Sequence, residues 1–363
     1  MLTNSVVRIA VIGAGPAGLS VAAALKDAEV FEEHNVVGLP RHCTSLVSAV
    51  SAERVGIPRE VVVRRYDELY VTNLDGDFIR FRIRGGVYLL DRPGLERRLA
   101  EHVANIRFGE KVTAIKGPYL YTERGEKYGP YDYIVVAEGS LRRLSRAYGE
   151  VVRLPGLQVD VKSPAELPGI TVVYNPKISQ AYFAWVVEVD KGVYRVGLAD
   201  KCCLVEKLNK LVKLLKGSPV DRPFGGGVLA GPPVQRVVHG RVVLVGDAAG
   251  LVKPLSGGGI VLAVKSGKLA AEALARGTPS LYEEGTRQLR MRLRAAHLLF
   301  KLLYGKRAVD RLLKTLSGGD YLAVDYDDHV KTLATAALTD PRSLAALRAL
   351  LLAGYSYVSH FFK

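Results

Sequence analysis

The sequence predicts a mixed α/β fold (α+β overall), with a Rossmann-like dinucleotide-binding domain, an antiparallel-sheet domain and a helical C-terminal region. Three observations predict it. A β-branched run, Val6-Val7-Arg8-Ile9-Ala10-Val11-Ile12, leads straight into Gly13-Ala14-Gly15-Pro16-Ala17-Gly18. A second run, Arg241-Val242-Val243-Leu244-Val245, leads into Gly246-Asp247-Ala248-Ala249-Gly250 and then Leu251-Val252-Lys253-Pro254-Leu255-Ser256-Gly257-Gly258-Gly259-Ile260. Between them, residues 66–83 and 151–227 alternate polar and apolar, as half-buried antiparallel strands do.

The first run suits a strand buried on both faces of a parallel sheet. Gly13 permits a tight turn, Gly15 lets a pyrophosphate approach the backbone, and Gly18 lets the next helix pack on the sheet. That helix, expected over 16–26, aims free N–H groups and its positive dipole end at phosphates. A second strand, Glu29-Val30-Phe31, ends at Glu32, whose carboxylate can accept hydrogen bonds from an adenosine ribose. Glu32 lies 19 residues after Gly13, near the spacing of a ribose-binding acid.

Further along, Asp75-Gly76-Asp77 marks the turn of a hairpin over 66–83. Residues 89–103 read as a strand end followed by a helix, and Val112 sits on a short strand. Tyr131-Asp132-Tyr133-Ile134-Val135-Val136-Ala137 is again a buried strand, followed by Glu138-Gly139-Ser140. From Ile260 onward the chain reads as helical, with Asp340-Pro341 opening a last helix. The dinucleotide domain is therefore expected to be discontinuous, over 1–65, 85–150 and 228–280. The antiparallel-sheet substrate domain takes 66–84 and 151–227, and the helical region 281–363.

Composition narrows the class. A chain of 363 residues with 48% hydrophobic content is long for one core. Its start enters a strand with no signal-peptide pattern, and no long uncharged apolar stretch predicts a transmembrane helix. Cys43, Cys202 and Cys203 match neither a disulfide framework nor a zinc site, and the scattered histidines predict no metal. These features favour a cytoplasmic protein, with peripheral contact at the inner membrane face as an option. The formal net charge is +15, and between Arg287 and Lys314 nine Lys/Arg face one acid, Asp310. Leu289, Leu293, Ala296, Leu299, Phe300 and Leu303 recur there at helical spacing. Such a basic amphipathic helix can lie on anionic lipid or pack on a domain. No nucleic-acid motif accompanies the charge. Ten Asn plus Gln point to a thermophilic source.

The second glycine segment adds flavin to dinucleotide. Asp247, directly after a strand, can hydrogen-bond the hydroxyls of a ribityl chain. The helix opening near Ile260 presents unpaired N–H groups and a dipole end that suit the pyrimidine edge of a reduced flavin. Gly257, Gly258 and Gly259 remove the side chains that would hold the ring away. The two segments together predict FAD.

With these residues in place, the sequence resembles the geranylgeranyl reductase family of flavoproteins, including archaeal digeranylgeranylglycerophospholipid reductases, in the fold group of para-hydroxybenzoate hydroxylase. Gly246-Asp247-Ala248-Ala249-Gly250 with Pro254-Leu255-Ser256-Gly257-Gly258-Gly259-Ile260 is similar to that family's signature, with Lys253 where Asn or Asp is usual. Gly38-Leu39-Pro40-Arg41-His42-Cys43-Thr44 resembles its loop beside the flavin, and Asp91-Arg92 is similar too. Val136-Ala137-Glu138-Gly139 resembles the fold group's Asp-Gly motif, with Glu138 in place of Asp. The resemblance spans most of residues 6 to 300. It implies FAD contacts at Ala17, Glu32, Cys43, Thr44, Arg92, Val112, Asp247, Gly259 and Ile260. It also implies reduction of double bonds in isoprenoid chains, which archaeal members carry out on membrane ether lipids. A Tyr-x-Trp-x-Phe-Pro wall is expected next to the substrate. Here Tyr182, Phe183 and Trp185 stand in its place, Val187-Glu188 replace Phe-Pro, and Gly197 follows at the expected distance.

Cys43 is the side chain expected nearest the ring, as a proton relay or a tuner of the flavin, with small-residue packing as the alternative. A single dinucleotide motif leaves the electron donor, NAD(P)H or a ferredoxin-like protein, to bind transiently. Two other classes remain compatible with the motifs. One is a flavin-dependent monooxygenase of an apolar or aromatic substrate. The other is a non-catalytic lipid-binding or electron-carrying flavoprotein.

Overall fold

The computed structural model describes residues 7–305, 308–323, 325–328, 332, 335, 341 and 342. Val6 and most of the helix expected after Asp340 lie outside the described residues.

One sheet has six strands. Ile9–Ile12 is central and wholly buried, flanked in parallel by Glu29–Glu32 and Tyr133–Val136. Ile106–Phe108 and Val242–Leu244 extend it in parallel on either side, and Val238–His239 closes one edge antiparallel. Two helices lie together on this sheet, Pro16–Ala24 and Ile260–Ala275. Their contact is lined by small residues. A Cβ at Gly267 would stand 2.5 Å from the Ala17 carbonyl oxygen, and one at Gly246 would stand 2.9 Å from the Ala17 Cβ. Ser266 Oγ accepts the Gly246 N–H at 3.0 Å. The sequence thus brings its two glycine segments together by removing the side chains that would separate them.

The second sheet has ten strands. The hairpin turning at 73–77 has long arms, Val62–Thr72 and Phe78–Leu90. Its strands run beyond residue 84 because Val87, Leu89 and Leu90 are buried. Ile170–Val173, Ala184–Asp190, Val193–Ala199, Arg153–Lys162 and Phe224–Leu229 continue the sheet. A small three-stranded sheet, built on Val112–Lys116, shares the core of the six-stranded sheet through Val112 and Leu120.

Three elements differ from the expected pattern. Leu46–Ser48, within 1–65, is a strand of the second sheet, antiparallel to Phe78–Leu90. Within 151–227 the helix Leu204–Leu214 packs on the sheet through Leu208, Leu211 and Val212. Within the expected helical C-terminal region, Asp320–Ala323 is a strand that pairs in parallel with Phe78–Leu90. The helices Ser280–Gly285, Arg287–Gly305 and Ala308–Leu316 precede it. The basic helix Arg287–Gly305 buries Arg290, Leu293, His297 and Phe300 against the body of the protein. It therefore packs on the domain and leaves Arg287, Met291, Arg292, Leu298 and Lys301 exposed. No described helix is long and apolar enough to cross a membrane.

Candidate functional site

A cavity of about 450 Å³ runs from the glycine segments to the face of the larger sheet. At one end Gly15, Pro16 and Ala17 meet Gly258, Gly259 and Ile260. Here two helices present their N-termini to the same space. Neither has a side-chain cap: Gly15 precedes Pro16–Ala24 and Gly259 precedes Ile260–Ala275. Their first N–H groups have no intrahelical acceptor, so both ends attract negative charge or carbonyl oxygens. A Cβ at Gly15 would meet nothing within 4 Å, which leaves the backbone open to a ligand. Gly13 has φ +102 and a Cβ there would strike the Ala137 carbonyl at 2.6 Å, so its role is the turn itself.

Asp247 lies in the cavity wall between the two helix ends. Its carboxylate makes no side-chain hydrogen bond among the described residues. Burial pushes its pKa up to about 6, against the opposing pull of Arg92 and Arg142. A Cβ at Gly259 would come within 2.8 Å of Asp247 Oδ1. An unpartnered carboxylate beside glycines matches the donor hydroxyls of a ribityl chain, so the residues present fit a flavin dinucleotide.

His42, Cys43, Thr44 and Ser45 of the loop 38–45 line the same cavity. His42 Nε2 accepts from Arg92 at 2.6 Å, while its Nδ1–H donates to the Pro40 carbonyl at 2.9 Å. Burial, then the Arg92 charge, lowers the His42 pKa to about 4, which keeps the ring neutral and able to accept. Arg92 is held from its other side by Glu96 at 2.6 Å. Cys43 lines the cavity with its sulfur fixed by the Ser45 N–H at 3.3 Å. Thr44 Oγ1 donates to Gln158 Oε1 at 2.8 Å.

The far end is apolar. Leu69, Val71, Ile79 and Phe81 come from the hairpin, Ile170 and Val172 from the sheet. Phe183 and Trp185 cover one side, and Tyr182 stacks on Phe183 at 4.4 Å with its hydroxyl donating to the Pro254 carbonyl. Leu312, Leu313 and Leu316 of the helix Ala308–Leu316 close the other side, with Tyr321 and Tyr326 beyond. Lys253 reaches this closing segment through an ion pair with Asp327 at 2.5 Å. Its ammonium also lies 4.7 Å from the Tyr326 ring centre.

Of the residues expected at the site, Gly15, Ala17, Cys43, Thr44, Arg92, Asp247, Gly259, Ile260, Tyr182, Phe183 and Trp185 line this one cavity. Gly13, Gly18, Glu32, Val112 and Gly197 stand behind it. Glu32 Oε2 accepts the Ala14 N–H at 2.7 Å and its Oε1 accepts the His34 N–H at 2.9 Å, so it braces the first glycine turn. Val112 is buried in the core of the six-stranded sheet. Gly197 lies under the Trp185 indole: a Cβ there would stand 2.5 Å from two of its ring carbons and 2.6 Å from Gln158 Cβ. Gly197→Val should therefore displace the indole and cost about 1–3 kcal/mol of stability, as overpacking does. Urea unfolding reads the cost, and an unchanged midpoint would refute this packing.

Three contributors carried weaker sequence signals. His42 lies inside the 38–44 segment already singled out but carries no signal of its own, and Gln158 is a single polar residue beside Leu157 and Val159. Gly225, Gly226 and Gly227 form a second triplet in the cavity wall. There a Cβ at Gly225 would stand 2.0 Å from the Gly156 carbonyl, and one at Gly226 would stand 3.1 Å from His42 Cβ. Three consecutive glycines in a strand are a legible sign of close backbone approach.

No protein-family model matches the chain. It is 27% identical over 356 residues to an uncharacterized protein of Methanocaldococcus jannaschii, covering 88% of this chain and 89% of that one. It is 27% identical over 302 residues to digeranylgeranylglycerophospholipid reductase 1 of Methanopyrus kandleri, covering 73% of this chain and 79% of that one. A geranylgeranyl bacteriochlorophyll reductase-like protein of Thermoplasma acidophilum shares the fold. Its TM-score is 0.78 at 19% identity, covering 94% of this chain and 98% of that one.

Proposed function

We propose that the chain is an FAD-dependent oxidoreductase that saturates carbon–carbon double bonds of geranylgeranyl (isoprenoid) chains, on membrane ether lipids in particular. One observation carries this reading: a single cavity joins two uncapped helix N-termini and a free carboxylate to a long apolar chamber, with Cys43 between them. The similarity to reductases of geranylgeranyl lipids supports the substrate class.

FAD would be held by the N–H groups of Gly15, Ala17, Gly259 and Ile260 and by Asp247, and when bound it would supply a hydride to an alkene carbon. The chain's own residues do the rest. Sheet and helix side chains exclude water and hold the alkene. An isolated alkene is a weak hydride acceptor, so its other carbon must receive a proton. Cys43, with its sulfur oriented by the Ser45 N–H, is the group assigned to deliver or relay that proton. Cys43→Ala should keep bound FAD and lose about 100-fold or more in turnover, within the usual contribution of a positioned acid. Turnover equal to wild type would remove the role.

The exposed face of Arg287, Met291, Arg292, Leu298 and Lys301 combines cations with apolar tips. It supports peripheral contact with an anionic membrane, the source of such a substrate. The electron donor, NAD(P)H or a ferredoxin-like protein, is proposed to bind transiently. The deciding experiment incubates dithionite-reduced protein with geranylgeranyl phospholipid without oxygen and reads product mass. Gain of two hydrogens per bond supports the reductase. Product carrying an added oxygen in air, or no product at all, overturns it.

A further inference from the structure

Gln158 lies on the strand Arg153–Lys162, in register with Gly197, which is in turn in register with Trp185. It is only 2% exposed, yet it lines the cavity. Its side-chain oxygen is used twice. Thr44 Oγ1 donates to Oε1 at 2.8 Å, and Trp185 Nε1–H donates to the same atom at 3.1 Å. Indole nitrogen only donates, so the atom facing Trp185 must be the amide oxygen, and the orientation of the amide is settled. That leaves the NH2 as the polar group Gln158 offers to the cavity, with no hydrogen-bond partner among the described residues. Gln158 Nε2 is not among the fully buried unpaired polar atoms, so it opens to the cavity, where a ligand oxygen can meet it. Phe183, Trp185 and Val187 of the same cavity wall carry no acceptor side chain.

We propose that Gln158 is a ligand-binding residue whose amide NH2 donates a hydrogen bond to an acceptor oxygen held where the loop 42–45 meets the apolar chamber. The inference rests on the reading that this cavity takes a flavin and an isoprenoid lipid. Two ligands could carry that oxygen, a ring carbonyl of the flavin or the head group of the lipid. In either case Gln158 is the polar reference point against which the alkene is placed. Thr44 and Trp185 act as positioning residues by fixing its oxygen.

Two variants of the holoprotein test this. Gln158→Met keeps the length and removes both donor and acceptor. Gln158→Glu keeps an acceptor for Thr44 and Trp185 and removes the donor when read at about pH 9, well above the ordinary carboxylate range. FAD affinity and the visible flavin spectrum are measured first, then KM for geranylgeranyl phospholipid. Both variants should lose about fivefold to tenfold in one of these, the effect of one missing hydrogen bond. A loss in FAD affinity with a shifted spectrum assigns the oxygen to the flavin. A raised KM with FAD affinity unchanged assigns it to the lipid. Wild-type values in both variants overturn the proposal. A loss in Gln158→Met alone also overturns it, because bracing of Thr44 and Trp185 then accounts for the effect. Gln158→Glu retains that bracing and decides the matter if Gln158→Met does not fold. Wild-type protein that takes up no FAD overturns the proposal together with the reading beneath it, whereas normal uptake isolates Gln158.

Discussion

Gly18→Val should yield a protein that takes up no FAD and melts about 2–4 °C or more below wild type. A Cβ at this position would stand 2.0 Å from the Gly13 carbonyl oxygen and 3.2 Å from the Ala137 Cβ. The first neighbour is backbone inside the glycine turn, and the second belongs to the loop after a buried strand. Neither can rotate away. The helix Pro16–Ala24 would have to lift from the sheet, and its contact with Ile260–Ala275 would open with it. Overpacking of this kind costs about 1–3 kcal/mol, and more where only backbone can yield. Both N-termini that face the cavity would move, so cofactor uptake should fail along with stability. Gly15→Ala is the contrasting case. Its new methyl meets nothing within 4 Å, so the apoprotein should melt as wild type does. FAD affinity should still fall, because the methyl occupies the path of the pyrophosphate. Thermal melts of the apoproteins with flavin absorbance after FAD addition separate the two effects. Full FAD affinity in Gly15→Ala would place the pyrophosphate elsewhere.

These two glycines show why the cofactor end of the site was legible in the sequence. A turn, a close helix and an open approach each demand loss of a side chain, at positions fixed by local geometry. Asp247 is equally local, since it follows its strand by three residues. The apolar end is different. Ile79 and Phe81 from the hairpin, Ile170 from another strand and Leu313 from a late helix share one wall through contacts far apart in sequence. Each is an ordinary core residue in its own segment, and nothing local marks it as part of a chamber. Asp320–Ala323 has four residues and becomes a strand only because the edge of Phe78–Leu90 is there to pair with it. Leu204–Leu214 was open to a correct reading, since Leu204, Leu208, Leu211, Val212 and Leu215 recur at helical spacing on one face. Gln158 is legible only once Thr44 and Trp185 are known to converge on its oxygen.

Asp247→Asn should make the apoprotein more stable at pH 8 while weakening FAD binding about tenfold or more. The Asp247 pKa in the fold is raised to about 6 from a usual value near 3.8, chiefly by burial. A raised carboxyl pKa means that the fold favours the protonated form. This group therefore adds most to stability below about pH 4, and that contribution is lost as pH rises through about 6. At pH 8 the cost of holding the charge reaches about 3 kcal/mol, from the pKa difference converted at 1.36 kcal/mol per unit. Asparagine carries no such charge. The stability gain of Asp247→Asn should thus be largest near pH 8 and shrink toward zero near pH 4, in urea unfolding of the apoproteins. The same charge explains why an acid would be kept there. An ionised carboxylate accepts hydroxyl hydrogen bonds about twice as strongly as a neutral amide oxygen. Ribityl hydroxyls bound to it would also restore the solvation that folding removed. Wild-type FAD affinity should accordingly rise with pH through about 6, and that rise should vanish in Asp247→Asn. Equal apoprotein stability at pH 8 would mean that the empty fold does not penalise the Asp247 charge, and a pH-independent wild-type affinity would mean that Asp247 does not hold the ribityl chain. The opposite result describes a site that gives up stability when empty in order to bind tightly when filled.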